Sequence, residues 1–144
     1  MEDVLVVDDD RTMLDLIKRI LESEGIVAHC VSSGAKALEK ITERTFSLMI
    51  TDYNMPGLDG LELARKGLEM APQMPIIMNT GDLSPSIVRL AEEIGIAKVM
   101  AKPYLPGDMM ESIRAVVGKR RPPQSARPRE AMQGAVLSLA PCRR

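Results

Sequence analysis

Val4-Leu5-Val6-Val7-Asp8-Asp9-Asp10 places four apolar residues before three consecutive carboxylates. A second apolar run, Leu48-Met49-Ile50, reaches a fourth carboxylate, Asp52, after Thr51. Aspartate sits poorly inside strands, and crowded like charges raise one another's pKa values. Two strands that both deliver carboxylates therefore need a chemical reason. A divalent cation with a phosphoryl group, one aspartate being the attacking nucleophile, is the simplest.

Working outward, strand-like runs recur at Val4–Val7, Ile26–Val31, Phe46–Thr51, Pro75–Asn79 and Ala97–Ala101. Helical spacing fills the intervals. Leu14, Ile17 and Leu21 share one face, with Gly25 where a C-terminal cap belongs. Ser33 precedes the segment carrying Ala37, Leu38 and Ile41. Ser84-Pro85 is an N-cap followed by proline in the first helical position, ahead of Ile87, Ala91 and Ile94. The last helix follows Pro106-Gly107-Asp108 and shows Met109, Ile113 and Val116 or Val117.

Five strands alternating with five helices predict an α/β fold, a parallel sheet covered on both faces. Ligands in such sheets bind at the carboxyl ends of the strands. Asp8, Asp9, Asp52, Thr80 and Lys102 all lie at those ends, so periodicity alone gathers them at one edge. Asp10 is better placed to start the first helix, where a carboxylate suits the dipole, than to bind metal.

The 144 residues bound one ordinary domain. No stretch approaches the roughly 20 apolar residues of a bilayer span, and the acidic start Met1-Glu2-Asp3 has no signal-peptide pattern. Cys30 and Cys142 make no disulfide framework, so a cytoplasmic protein is expected. The net charge of −1 conceals an asymmetry: residues 1–118 carry 12 Lys/Arg against 19 Asp/Glu, and residues 119–144 carry 7 against 1. The expected division is a folded domain over 1–118 and a basic, Pro/Arg-rich, disordered tail over 119–144. Within the tail, Met132 to Leu139 has apolar character that a partner could order as a short helix. The tail carries no aromatic residue and resembles no nucleic-acid module, so nucleic-acid binding is not expected.

Chemically, Asp8 and Asp9 can supply metal ligands beside Asp52, and Mg²⁺ suits a site of few carboxylates completed by water. Lys102 can set an ammonium opposite the metal. Thr80 offers a hydroxyl donor, and backbone N–H groups at Gly81 extend the cradle.

Val4-Leu5-Val6-Val7-Asp8-Asp9, Thr51-Asp52-Tyr53-Asn54-Met55-Pro56-Gly57-Leu58-Asp59-Gly60, Ile76-Ile77-Met78-Asn79-Thr80-Gly81 and Lys102-Pro103, in this order and spacing, resemble the receiver domain of two-component response regulators. The resemblance covers residues 3–118 and implies a flavodoxin-like (βα)₅ fold with strand order 2-1-3-4-5. It implies a stand-alone signalling switch rather than an enzyme in the usual sense. Asp52 would accept a phosphoryl group from a sensor histidine kinase or phosphotransfer protein, using Mg²⁺. Asp8 (through water), Asp9, Asp52 and the Asn54 backbone carbonyl would hold the metal. Lys102 would contact the phosphoryl group beside a cis bond to Pro103. Asn54 and Asp82 would modulate self-dephosphorylation, and an amide beside a carboxylate there predicts a short-lived phosphoryl state. Output would run through Thr80 and the fourth helix, fifth strand and fifth helix, to an unidentified protein target.

Two positions depart from the family pattern. Val99 stands where an aromatic residue usually reports activation, and Gly81 stands where alanine is usual. The first puts the coupling to the output face in question; the second could admit more water to an acyl phosphate.

Other readings compete. His29, the single histidine, reads as a half-exposed strand residue. Met100, Met109 and Met110 are core filler, or else an adaptable docking face. Val4 to Thr12 also looks like the first motif of haloacid-dehalogenase-type phosphatases, with Asp8 as nucleophile and Asp10 as acid/base. That leaves the Asp52 motif unexplained. A constitutive binding module is the third possibility.

Overall fold

The computed structural model describes residues 3–118. The expected tail, 119–144, lies outside the described residues. Elements alternate throughout: β1 (Asp3–Val7), α1 (Arg11–Ser23), β2 (Val27–Val31), α2 (Gly34–Glu43), β3 (Leu48–Asp52), α3 (Gly60–Met70), β4 (Ile76–Thr80), α4 (Pro85–Ile94), β5 (Lys98–Ala101) and α5 (Pro106–Gly118). All strand pairs are parallel, in the order β2-β1-β3-β4-β5. This is the flavodoxin-like (βα)₅ arrangement that the sequence implies.

Local chemistry sets the helix ends. The Asp10 carboxylate caps α1 by accepting from the Thr12 N–H at 2.9 Å, the helix-starting role expected of it. Ser33 and Ser84 cap α2 and α4, and Pro85 takes the first turn of α4. Asp59 and Glu62 form a reciprocal capping box on α3. At the end of α1 the chain turns through Gly25 at φ +78°, and the Ile26 N–H reaches back to the Leu21 carbonyl at 3.0 Å. A side chain resists that left-handed conformation, so glycine stands there.

Strand alternation splits the core into two layers. Val4, Val6, Leu48, Ile50 and Ile77 face Ile17, Leu21, Met109 and Ile113 of α1 and α5. Leu5, Val7, Met49, Ile76 and Met78 face Ala37, Leu63, Ala64 and Ala91 of α2, α3 and α4. Because both sides are covered, β3 and β4 are buried along their whole length.

Two expectations change. Phe46 lies before β3 rather than in it: it is 2 % exposed, edge-on to His29, and lies under the Arg44 guanidinium. Apolar burial beneath the sheet, not ladder pairing, explains its place in the run. Asp3 joins this cluster through an ion pair with Arg44, and its carboxylate lies 3.4 Å from His29 Nε2. The alternative reading of Met100, Met109 and Met110 as a docking face fails, because all three are buried against α1 and the sheet. They are core residues.

Gly60 fixes α3 against the end of β3. A Cβ there would lie 2.5 Å from the Asp52 carbonyl oxygen and 2.9 Å from the Tyr53 Cα, both backbone atoms unable to yield. The Gly60 N–H also donates to the Tyr53 carbonyl at 2.9 Å. The glycine of the Asp59-Gly60 pair thus holds the segment that carries Asp52.

Candidate functional site

The register of the sheet brings the ends of β1 and β3 side by side, Val7 opposite Thr51, so the residues that follow meet at one edge. Carboxylate oxygens of Asp8, Asp9 and Asp52 all lie within 4.8 Å of one another. Asp8 and Asp52 are buried and Asp9 is exposed. From the end of β5, Lys102 sets its Nζ 2.7 Å from Asp52 Oδ1 and 3.8 Å from Asp8 Oδ2. The Lys102–Pro103 peptide bond is cis.

Three carboxylates against one ammonium leave an uncompensated excess of negative charge. Asp8 takes most of the strain. Burial pushes its carboxyl from 3.8 to about 6, the Asp52 and Asp9 charges push the same way, and the Asp10 N–H and Lys102 only partly offset them. Its Oδ1 accepts from the Asp10 N–H at 2.9 Å, whereas its Oδ2 is buried without a hydrogen-bond partner. An orphaned buried oxygen among clustered hard donors is the feature a hard divalent cation satisfies, so the residues fit Mg²⁺.

Thr80 ends β4, buried, but its hydroxyl is already engaged: it accepts from the Asp82 N–H at 2.9 Å and donates to the Asp82 carbonyl at 3.2 Å. Its hydroxyl is thus tied to the β4–α4 loop, to which Asp82 and the α4 cap Ser84 belong. Asn54 and Asp82 are both exposed at the same edge of the sheet. Gly81 is exposed, and a Cβ there would meet nothing within 4 Å. Val99 is half-buried and packs against the layer formed by α2, α3 and α4.

Two further residues border the site. Asn79, paired in register with Asp52, is 1 % exposed and donates from Nδ2 to the Tyr104 hydroxyl at 3.3 Å. The Tyr104 phenol is pushed up to about 12 by burial, with Asp8 and Asp52 adding to it. A polar residue inside the apolar run Ile76-Ile77-Met78 was the available signal for Asn79. Nothing in the sequence pairs it with Tyr104, whose position depends on the turn after Pro103.

Comparison with known proteins agrees with this geometry. Residues 4–114 match the response regulator receiver domain family. The response regulator receiver protein CpdR of Brucella abortus is 32 % identical over 117 residues, covering 81 % of this chain and 98 % of that protein. The C4-dicarboxylate transport transcriptional regulatory protein DctD of Rhizobium meliloti is 32 % identical over 118 residues, 82 % of this chain but 26 % of DctD. A CheY-like receiver domain protein from Methanospirillum hungatei superposes with a TM-score of 0.80 at 32 % identity, covering 83 % of this chain and 96 % of that one.

Proposed function

This chain belongs to the response regulator receiver family, and on that premise we propose that Asp52 is the phosphoacceptor of a two-component signalling switch. The observation that carries the reading is the buried Asp52 carboxylate, paired with Lys102 at 2.7 Å inside a three-carboxylate cluster with one orphaned oxygen.

In the reaction, an Asp52 carboxylate oxygen attacks the phosphorus of a phosphohistidine on a sensor kinase or phosphotransfer protein. The P–O bond to Asp52 forms as the P–N bond breaks, and the donor imidazole leaves with the electron pair of that bond. Lys102, released from Asp52, is placed to pair with a phosphoryl oxygen. Mg²⁺, when held by Asp8, Asp9, Asp52 and the Asn54 carbonyl, would neutralise phosphoryl charge. Thr80 would turn its hydroxyl from Asp82 toward the new anion and so disturb the loop that leads into α4. Hydrolysis returns the carboxylate and inorganic phosphate, with the attacking water positioned by Asn54 and Asp82.

Partner contact is supported by two exposed leucines at the rim of this edge, Leu83 at 46 % and Leu105 at 70 %. No described helix is long and apolar enough to cross a membrane. The phosphatase reading accounts for residues 4–12 alone, whereas the family match runs over residues 4–114. That match supports the switch over the phosphatase.

The test is phosphotransfer from sensor kinases to the intact chain with Mg²⁺, followed by borohydride reduction. Homoserine at position 52 is the expected product; label stable to hydroxylamine, or homoserine at position 8, would overturn the proposal. A second expectation concerns Gly81. Since a Cβ fits there without contact, Gly81→Ala should leave the unfolding midpoint unchanged and lengthen the phosphoryl half-life several-fold by excluding water. An unchanged half-life would show that water reaches the acyl phosphate by another route.

A further inference from the structure

A groove of about 480 Å³ runs between α3 and α4, lined by Leu68, Leu90 and Ile94 together with Arg65, Glu69 and Glu93. Leu90 is 44 % exposed on its wall. Among the described residues no ion pair engages Glu69 or Glu93. Both glutamates lie near helix C-termini, and neither α3 nor α4 has a basic residue in its last turn to offset the dipole. The groove is therefore lined by apolar side chains and carries a net negative charge, two glutamates against one arginine.

The chain continues past Gly118 with residues of the complementary kind. Residues 119–144 carry seven Lys/Arg and a single Glu. Met132, Ala135, Val136 and Leu139 recur at the i, i+3, i+4, i+7 spacing of one helical face, with Arg127 and Arg129 before them and Arg143 and Arg144 after. We infer that the segment Met132–Leu139 of this same chain occupies the α3–α4 groove, its apolar residues against Leu68, Leu90 and Ile94 and its flanking arginines against Glu69 and Glu93.

Length permits this. Residues 119–131 separate α5 from the segment. Thirteen residues reach at most about 43 Å when fully extended, against a radius of gyration of about 13 Å for a domain of this size. The tether holds the segment near the groove at millimolar effective concentration, so a weak contact suffices. Burial of exposed Leu90 and pairing of two free carboxylates supply that contact.

Disulfide trapping in the full-length chain tests the inference, with Cys30→Ala and Cys142→Ala removing the native thiols. Val136→Cys, on the apolar face, is combined either with Leu90→Cys in the groove or with Val27→Cys, a 53 % exposed position on the edge strand. Expected is an intramolecular disulfide to position 90 that forms at least ten-fold faster than to position 27. Adding Glu69→Lys and Glu93→Lys should slow it several-fold. Equal rates at both positions, indifference to the charge reversal, or disulfide-linked dimers showing a second copy in the groove would each overturn the inference. None of the groove residues belongs to the carboxylate site, so this trap and the phosphotransfer assay can fail independently.

Discussion

Asp52→Asn is expected to abolish acyl phosphate formation while leaving the domain folded. A carboxamide oxygen is a far poorer nucleophile, so phosphotransfer should fall by a factor on the order of 10³ or more, as loss of an attacking group does. The amide is nearly isosteric, and Asp52 sits at the end of a strand whose pairing it does not alter. Lys102 loses its 2.7 Å partner but keeps Asp8 Oδ2 within 3.8 Å, so the ammonium is not stranded. The unfolding midpoint should therefore shift little. The companion variant, Asp8→Asn, should slow phosphotransfer by weakening Mg²⁺ binding, yet still permit labelling at high Mg²⁺. The reverse pattern, with labelling lost in Asp8→Asn and kept in Asp52→Asn, would make Asp8 the nucleophile and restore the phosphatase reading.

Without divalent cations, Asp8→Asn is also expected to stabilise the domain at neutral pH. The Asp8 carboxyl is held at about 6 in the fold against 3.8 for an ordinary aspartate, chiefly by burial. Between those values the folded state binds a proton that the unfolded state has released. Stability from this group is thus fully present below about pH 4 and is lost as pH rises toward and through 6. Above pH 6 the loss levels off at about 3 kcal/mol, two pKa units at 1.36 kcal/mol each. Asparagine carries no such charge, so in EDTA at pH 7 the variant should gain on the order of 2–3 kcal/mol in urea unfolding. It should also lose the component of pH dependence that falls between pH 4 and 6. Mg²⁺ should reverse the order, stabilising the native sequence by linkage and the variant far less. A variant less stable than the native chain in EDTA at pH 7 would show that Asp8 is not under electrostatic strain.

Much of the site was legible because it depends on where strands end. Once Val4–Val7 and Leu48–Ile50 are strands of one parallel sheet, the carboxylates after them must share an edge, and Lys102 after Val99-Met100-Ala101 must reach the same edge. The Asp10 cap was legible too, since a carboxylate directly before a helical period has a local partner in the first-turn N–H groups. Phe46 misled because an apolar residue beside a strand pattern looks the same whether it joins the ladder or plugs the sheet end.

The sequence by itself determined the alternation of strands and helices and the carboxylates, Thr80 and Lys102 at the strand ends, because these follow from periodicity, caps and chain order, while the strand order was implied by the family resemblance. Tertiary structure alone decided their individual states. Asp8 is buried and strained while Asp9 beside it is exposed, a difference set by the packing around them that no local pattern encodes. Thr80 is buried with its hydroxyl turned to Asp82, and Asn79 meets Tyr104 across 25 residues of chain, because rotamers answer to neighbours brought together only by the closed sheet. The groove between α3 and α4 likewise exists only once Leu68 and Leu90, distant in sequence, face one another. Asp8, Asp9 and Asp10 are alike in sequence, yet one is buried, one is exposed and one caps a helix.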